Sequence, residues 1–505
     1  MTTEHNEKSH VVVIGAGVGG LAVAARLSVK GHRVTLLEHA DRVGGKLFTY
    51  RRDGFAFDTG PSLFTLPAVY RDLFLKTGKS LEDSVDLQEV DPAFRYVFAD
   101  GSEVTLPGVD PAKCAQAFGA AFGPESDKQW RKFTDRGSQM WRLTRGPFLQ
   151  SPLKGWKSLL PLANPSDVNT IAPFTSLRKL ARKYFTDPRM IMIVDRYATY
   201  TGSDPRQAPA VLATIPYIEQ VFGTWHIGGG LGTLATALEN RCHERKVEIR
   251  TGVTVTQINT NNGVVSGVHL ESGEFIEADI VVSDSDATLT QDLLSYQDRK
   301  QTPSIPNSPS LAGFVLLLAL DGTTTGIAHH NVWFPENYDA EFDAIFGKEP
   351  KPPSDPAIYA CVPDDQTMKP TSDSESWFIL VNAPRHDPEK KHGFNWDLPG
   401  VKEDYAERIL DLLAQRGTDI RSRIKWMEIR TPADLERDVM APGGSIYGTS
   451  SNGPRAAFTR PANQSAIKGL YQVGGSSHPG GGLPLVGMGA EITAELIGRA
   501  GKPNP

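Results

Sequence analysis

The sequence predicts an α/β fold, in which a doubly wound nucleotide-binding domain is interrupted by an inserted mixed α+β substrate domain. Three observations carry that prediction. A β-branched run near the N-terminus ends in a cluster of glycines, and a second apolar run closes on an acid about twenty residues further on. The chain, at 505 residues, also exceeds what one hydrophobic core organises, so two domains are expected.

The first element is the strand Val11-Val12-Val13-Ile14, whose unbroken apolar character fits a parallel strand buried on both faces. It runs into Gly15-Ala16-Gly17-Val18-Gly19-Gly20. Gly15 supplies the angles of a tight turn, Gly17 lets the main chain approach a pyrophosphate, and Gly20 lets the following helix, read as Ala22 to Lys30, pack on the sheet. The helix N-terminus, with its unpaired N–H groups and its dipole, then favours negative charge. Glu38 ends the second strand, Val34 to Leu37, at the distance from which a carboxylate reaches a ribose hydroxyl. Together these elements make a Rossmann-type dinucleotide site, with Gly19 in the same turn. Gly44-Gly45-Lys46 follows, and a second glycine pair beside a cation offers a second close approach to the pyrophosphate. That suits a long, permanently held cofactor such as FAD.

From Val247 to Ser283 the chain reads as hairpins: Val247 to Ile249, Val253 to Ile258, Val264 to Leu270 and Ile280 to Val282 are separated by Asn261-Asn262-Gly263 and Glu271-Ser272-Gly273. The nucleotide-binding domain is expected from residues 1–75, 225–290 and 455–505, and the substrate domain from 76–224 and 291–454. The first insertion is expected to be mostly helical. The second mixes strands (Gly313 to Leu320, Trp377 to Val381) with a helix near Glu403 to Gln415.

Composition narrows the class further. Charged residues at 22% and hydrophobic ones at 39% describe a soluble globular chain. Cys114, Cys242 and Cys361 are far apart, which gives no disulfide framework and no paired metal ligands, so no metal and a reducing cytoplasm are expected. Met1 to His10 lacks the apolar core of a signal peptide. The best apolar run, Leu311 to Leu320, has about half the length needed to span a bilayer and reads as a buried strand. Nucleic acid is excluded as a partner, because the net charge is -6 and no recognition motif is present.

Three further segments carry a resemblance: Phe55-Ala56-Phe57-Asp58-Thr59-Gly60-Pro61-Ser62, Trp225-His226-Ile227-Gly228-Gly229-Gly230-Leu231, and Tyr471-Gln472-Val473-Gly474-Gly475-Ser476-Ser477-His478-Pro479-Gly480-Gly481-Gly482-Leu483-Pro484. With them the chain, from about residue 10 to about residue 497, resembles the carotenoid (phytoene) desaturase family of FAD-dependent oxidoreductases; His39 to Lys46 resembles the extended FAD-binding signature of flavin amine oxidases and their relatives, in which the position of Lys46 carries Arg or Lys. Ala441 to Gly448 with Phe458-Thr459-Arg460-Pro461 is similar to its hydroxycarotenoid 3,4-desaturase subgroup. The resemblance implies FAD, contacted also by Gly60, Pro61, Ser62, Gly475, Ser476, Leu485 and Val486, and by the Val253 backbone at the adenine. It further implies an acyclic carotenoid substrate, desaturation by hydride transfer to flavin, and reoxidation by an acceptor such as oxygen or a quinone. A flavin amine oxidase, or a carotenoid isomerase using reduced FAD, stays open as an alternative.

His226 and His478 are the candidate catalytic residues, each either accepting a proton or holding a structural hydrogen bond. Asp58 and Tyr447 read as a backbone-bonding residue and a packing residue. Asp284 and Asp286 read as turn and helix-capping residues, since no His or further acid at ligand spacing accompanies them. From Asp127 to Arg189, thirteen Lys and Arg face four Asp, with Trp141, Phe148, Leu149, Trp156 and Leu160 interleaved. That is the pattern of a peripheral membrane surface, and equally of a solvated basic face. The expected location is therefore the cytoplasm, at the cell membrane.

Overall fold

A computed structural model describes residues 9–153, 164–305, 308–453, 456 and 460–501. Its first sheet is parallel and has five strands, in the order Leu470–Gln472, Ile280–Ser283, β1 (His10–Ile14), β2 (Arg33–Leu37) and Glu248–Arg250. Both faces of β1 are covered. Val11 and Val13 pack on α1 (Val18–Val29) and its neighbours, while Val12 and Ile14 pack on Ile258 and Val268 of a three-stranded antiparallel sheet. That double burial is why the sequence needs four consecutive branched residues there. α1 begins at Val18, four residues before the expected Ala22, because the glycines themselves form its first turn.

The second sheet has seven strands, in the order Ile424–Arg430, Ala312–Asp321, Ser374–Ala383, Ile358–Cys361, His330–Trp333, Phe94–Val97 and Glu103–Leu106. The strand Ala312–Asp321 contains most of the apolar run read as buried. Leu316, Leu318 and Leu320 face the helix Val401–Gln415, while Val315, Leu317 and Ala319 pack on Phe55 and Phe57.

The first insertion, expected to be mostly helical, also carries the hairpin Phe94–Val97 with Glu103–Leu106, which joins the edge of this sheet through a parallel pairing to His330–Trp333. Its alternation is plain in hindsight: Phe94, Tyr96, Val104 and Leu106 are buried, whereas Glu103 and Thr105 are exposed. The helices of the insertion share one core, in which Trp130, Phe133, Phe185 and Tyr197 are buried, and a short strand, Leu87–Glu89, pairs with Trp225–Ile227. No helix among the described residues is long and apolar enough to cross a membrane.

Candidate functional site

A cavity of about 660 Å³ opens at the C-terminal end of β1 and continues between the helical layer and the seven-stranded sheet. Gly15, Gly17, Gly19 and Glu38 line one end, with Gly44, Gly45 and Lys46 beside them; Gly60, Pro61, Ser62, Gly475, Ser476, Leu485 and Val486 complete that part of the wall. Most of the predicted cofactor residues thus converge on one space.

The local chemistry explains the convergence. A Cβ built on Gly20 would stand 2.0 Å from the Gly15 carbonyl oxygen, so only glycine lets α1 start so close to the turn. The second glycine pair is stacked on the first turn: Gly44 pairs with Gly17, and the Gly44 N–H donates to the Ala16 carbonyl at 2.8 Å. Glu38, 5% exposed, accepts from the N–H groups of Ala16 at 2.6 Å and Ala40 at 2.9 Å, and lies 2.7 Å from His39 Nδ1. Burial would push its pKa up, but these partners outweigh burial and hold the carboxyl below the usual range. A charged acid therefore sits at the end of β2, where a ribose hydroxyl needs one. A close-approach turn, a helix N-terminus and that acid are the donor set a dinucleotide requires, so the residues present fit FAD.

Several expected roles change. Lys46 does not hold its ammonium free: Nζ donates to the carbonyls of Ser445 at 3.1 Å and Ile446 at 2.8 Å, which ties two parts of the cavity wall together, and burial lowers its pKa. Val253 is off the wall, and its N–H is taken by the Glu38 carbonyl at 2.8 Å, so this amide is not available to an adenine. Gly20 is also off the wall, in keeping with its packing role.

His226 and His478 do not line the cavity either. His226, on the strand Trp225–Ile227, turns to Asp365, whose Oδ2 lies 2.9 Å from Nε2. Asp365 also accepts from the Gly229 N–H at 2.7 Å and from Thr367. Burial acts upward on Asp365, yet the bonds from His226, Thr367 and Gly229 hold it well below the carboxylate range. His478, 1% exposed, lies with Nε2 3.0 Å from the Ser151 carbonyl, and burial lowers its pKa. These geometries brace loops.

Asp58 behaves as read. Its carboxylate accepts from the N–H groups of Leu231 at 2.8 Å and Gly232 at 3.3 Å, at the start of the helix Gly232–Glu244, and from Thr49 Oγ1 at 2.7 Å. Asp286 caps the helix Ala287–Asp292 by accepting from the Thr288 N–H. Asp284 does not cap that helix. Its carboxyl faces the N–H groups of Gly20 and Gly17 at the N-terminus of α1, and a Cβ on Gly17 would stand 2.4 Å from Oδ2. A valine at Gly17 would therefore strike this carboxyl first, before reaching a pyrophosphate. Burial pushes Asp284 up to about 7.

Sequence reasoning also missed Arg196, Tyr200 and Tyr359, which line the cavity beside Ser62. No motif announces them, because they meet only when the helix Pro188–Thr199 packs on the sheet.

The family model for flavin-containing amine oxidoreductases matches residues 18–381. The chain is 33% identical over 501 residues to a 4,4'-diapolycopene oxygenase of Methylomonas sp, covering 97% of this chain and 98% of the relative. It is 29% identical over 500 residues, at 97% and 98% coverage, to a 4,4'-diaponeurosporene oxygenase of Staphylococcus aureus strain USA300. Among solved structures, putrescine oxidase bound to putrescine superposes with a TM-score of 0.65 at 14% identity, over 97% of this chain and 99% of that one. An oxidoreductase from Methanosarcina mazei gives 0.62 at 17% identity, over 96% and 100%. These two share the fold.

Proposed function

We propose, from the premise that the chain belongs to the flavin-containing amine oxidoreductase family, that it is an FAD-dependent oxidoreductase acting on an acyclic carotenoid. One observation carries the reading: the cavity wall passes without a break from the glycines to an apolar gallery of Leu212, Ile215, Ile218, Val315, Val332 and Leu380. Such a wall stabilises a hydrocarbon along its length, at about 25 cal/mol per Å² of apolar surface removed from water. The described residues that the helical layer gives to the wall include no acid to hold an ammonium group, which disfavours an amine substrate.

Bound FAD supplies hydride acceptance and is reoxidised by an acceptor such as oxygen or a quinone. The chain's own part is to hold the polyene in one orientation and exclude water, and positioning of this kind contributes about 7 to 11 kcal/mol. Two oxidations suit the site. Oxidation at the chain end is supported by the names of the relatives, both diapocarotenoid oxygenases. Insertion of a double bond, the reading the sequence suggested, is supported by a gallery whose described apolar residues offer no base, since a proton beside an allylic cation is acidic enough to leave unaided.

Expression in a carotenoid-free host that is supplied with an acyclic polyene tests these readings. Gain of oxygen at the end supports terminal oxidation, and loss of two hydrogens with a longer chromophore supports desaturation. An unchanged mass with altered double-bond geometry, or amine turnover with untouched pigment, overturns the proposal.

We further propose that the cavity mouth docks on an anionic bilayer. Ile171 and Pro173 line the cavity, and next to them Phe174 is 86% exposed. The following helix, Leu177–Tyr184, exposes Lys179, Arg182 and Lys183. Part of the basic surplus is already used elsewhere: Arg178 is buried against Asp195 and Asp339, Arg189 pairs with Asp187, and Trp141 packs inward on Leu66 and Met488. Lys154, Trp156, Lys157 and Leu160 lie outside the described residues. Changing Phe174→Ser together with Lys179, Arg182 and Lys183 to Glu should lower cosedimentation with anionic vesicles at least about tenfold, since each cation near the lipid is worth about 1 kcal/mol. Sedimentation equal to wild type would show a merely solvated basic face.

A further inference from the structure

We infer that Arg196 is the recognition residue for an oxygen-bearing end of the substrate, so that the apolar cavity selects polyenes terminating in a carboxylate or aldehyde over plain hydrocarbons. The inference rests on the carotenoid reading above and adds to it the chemistry of the substrate's end.

Arg196 is the only charged residue that the described helical layer contributes to the cavity wall. It is 7% exposed, and its guanidinium is held by three aromatic rings: Cζ stands 5.4 Å from the centroid of Phe94, 5.0 Å from Tyr200 and 5.3 Å from Tyr359. Tyr359 is itself fixed, with its hydroxyl 2.8 Å from Ser62 Oγ and 2.8 Å from His330 Nδ1. Rings on several sides leave the fork little rotational freedom, and this is the pre-organisation that makes arginine a selective reader of carboxyl oxygens.

One donor is spent, because Nη1 donates to the Tyr200 hydroxyl at 2.6 Å; among the described residues no other hydrogen bond of this guanidinium is made. The counter-charge stands one hydroxyl away. Glu219, 3% exposed, accepts from Tyr197 at 2.6 Å and from Tyr200 at 3.3 Å and makes no direct pair with Arg196. Burial pushes Glu219 up to about 7, so near neutrality much of it is uncharged and Arg196 is incompletely compensated. A buried, rigid cation with donors to spare, on the wall of a hydrocarbon gallery, favours a ligand with one oxygen-bearing end.

The test uses the FAD-loaded protein and two probes in detergent, an acyclic polyene hydrocarbon and the same polyene bearing a terminal carboxylate, with binding followed by the shift of polyene absorbance. Wild type should bind the carboxylate at least about tenfold more tightly, the lower end of what a hydrogen bond to a charged group contributes. Arg196→Gln should erase that ratio and Arg196→Lys should restore part of it. Glu219→Gln, which removes the counter-charge and leaves the arginine, should widen it and serves if Arg196→Gln does not fold. Wild type that binds both probes equally, an unchanged ratio in Arg196→Gln, or a narrowed ratio in Glu219→Gln overturns the assignment of Arg196 and leaves the carotenoid reading standing. Wild type that binds neither probe sinks the carotenoid reading itself.

Discussion

Gly20→Val is expected to purify without the yellow absorbance of bound FAD and to take up added FAD at least about a hundredfold more weakly than wild type, which corresponds to about 3 kcal/mol, the upper end of the cost of overpacking. The reason is local. The new side chain would enter where a Cβ already stands 2.0 Å from a backbone oxygen, that of Gly15, and a backbone atom cannot swing aside as a side-chain tip does. Relief requires α1 to slide outward along the sheet, and that displaces the N–H groups at its start from the place where they would meet a phosphate. Gly146→Ala is the control, since a Cβ there meets nothing within 4 Å and the backbone is not strained. The check is the flavin absorbance of the purified protein with a fluorescence titration of added FAD. A Gly20→Val protein carrying full flavin would remove the close approach of helix and turn from the account of binding.

That part of the site was legible because it is local. β1, the glycine turn, α1 and the acid after β2 occupy one short stretch, and each residue type answers to the geometry of its immediate neighbours. The unread parts arise from distant pairings. Ser283 lies opposite Ile14 in the parallel register, so the next residue, Asp284, is delivered beside Gly15 by a strand far away in the chain. Nothing near Asp284 in sequence announces that neighbour, and the pair of acids with Asp286 read naturally as turn chemistry, which is true of Asp286 alone. For His226, read as either a proton acceptor or a structural hydrogen-bonding residue, the geometry matches the structural alternative. Proximity to the Gly228-Gly229-Gly230 run suggested the flavin side, but strand alternation turns the ring toward Asp365, a residue on another loop. Arg196 depended on three aromatic residues from separate elements and had no linear signature.

Asp284→Asn is expected to bind FAD about ten- to a hundredfold more tightly than wild type above pH 8, and with equal affinity below about pH 6. The wild-type carboxyl lies at the N-terminus of α1, facing the Gly20 and Gly17 N–H groups, in the region where a dinucleotide pyrophosphate is expected. Two unit charges about 4 Å apart repel by about 4 kcal/mol at an effective dielectric constant of 20, and partial protonation with local screening reduces this to the range stated. The sign follows from the pKa. Burial places Asp284 at about 7 before the anion arrives. A negative pyrophosphate raises it further, so binding takes up a proton and wild-type affinity falls as pH rises through about 7. Asparagine keeps the shape and one accepting oxygen but carries no charge, and so lacks that slope. His39, its pKa raised mainly by its bond to Glu38, is present in both proteins and cancels in their ratio. Titrating FAD into both apoproteins from about pH 5.5 to 9 decides the matter: parallel profiles would mean that Asp284 does not share the pyrophosphate's space, and diverging ones that this acid sets the pH range over which the enzyme holds its flavin.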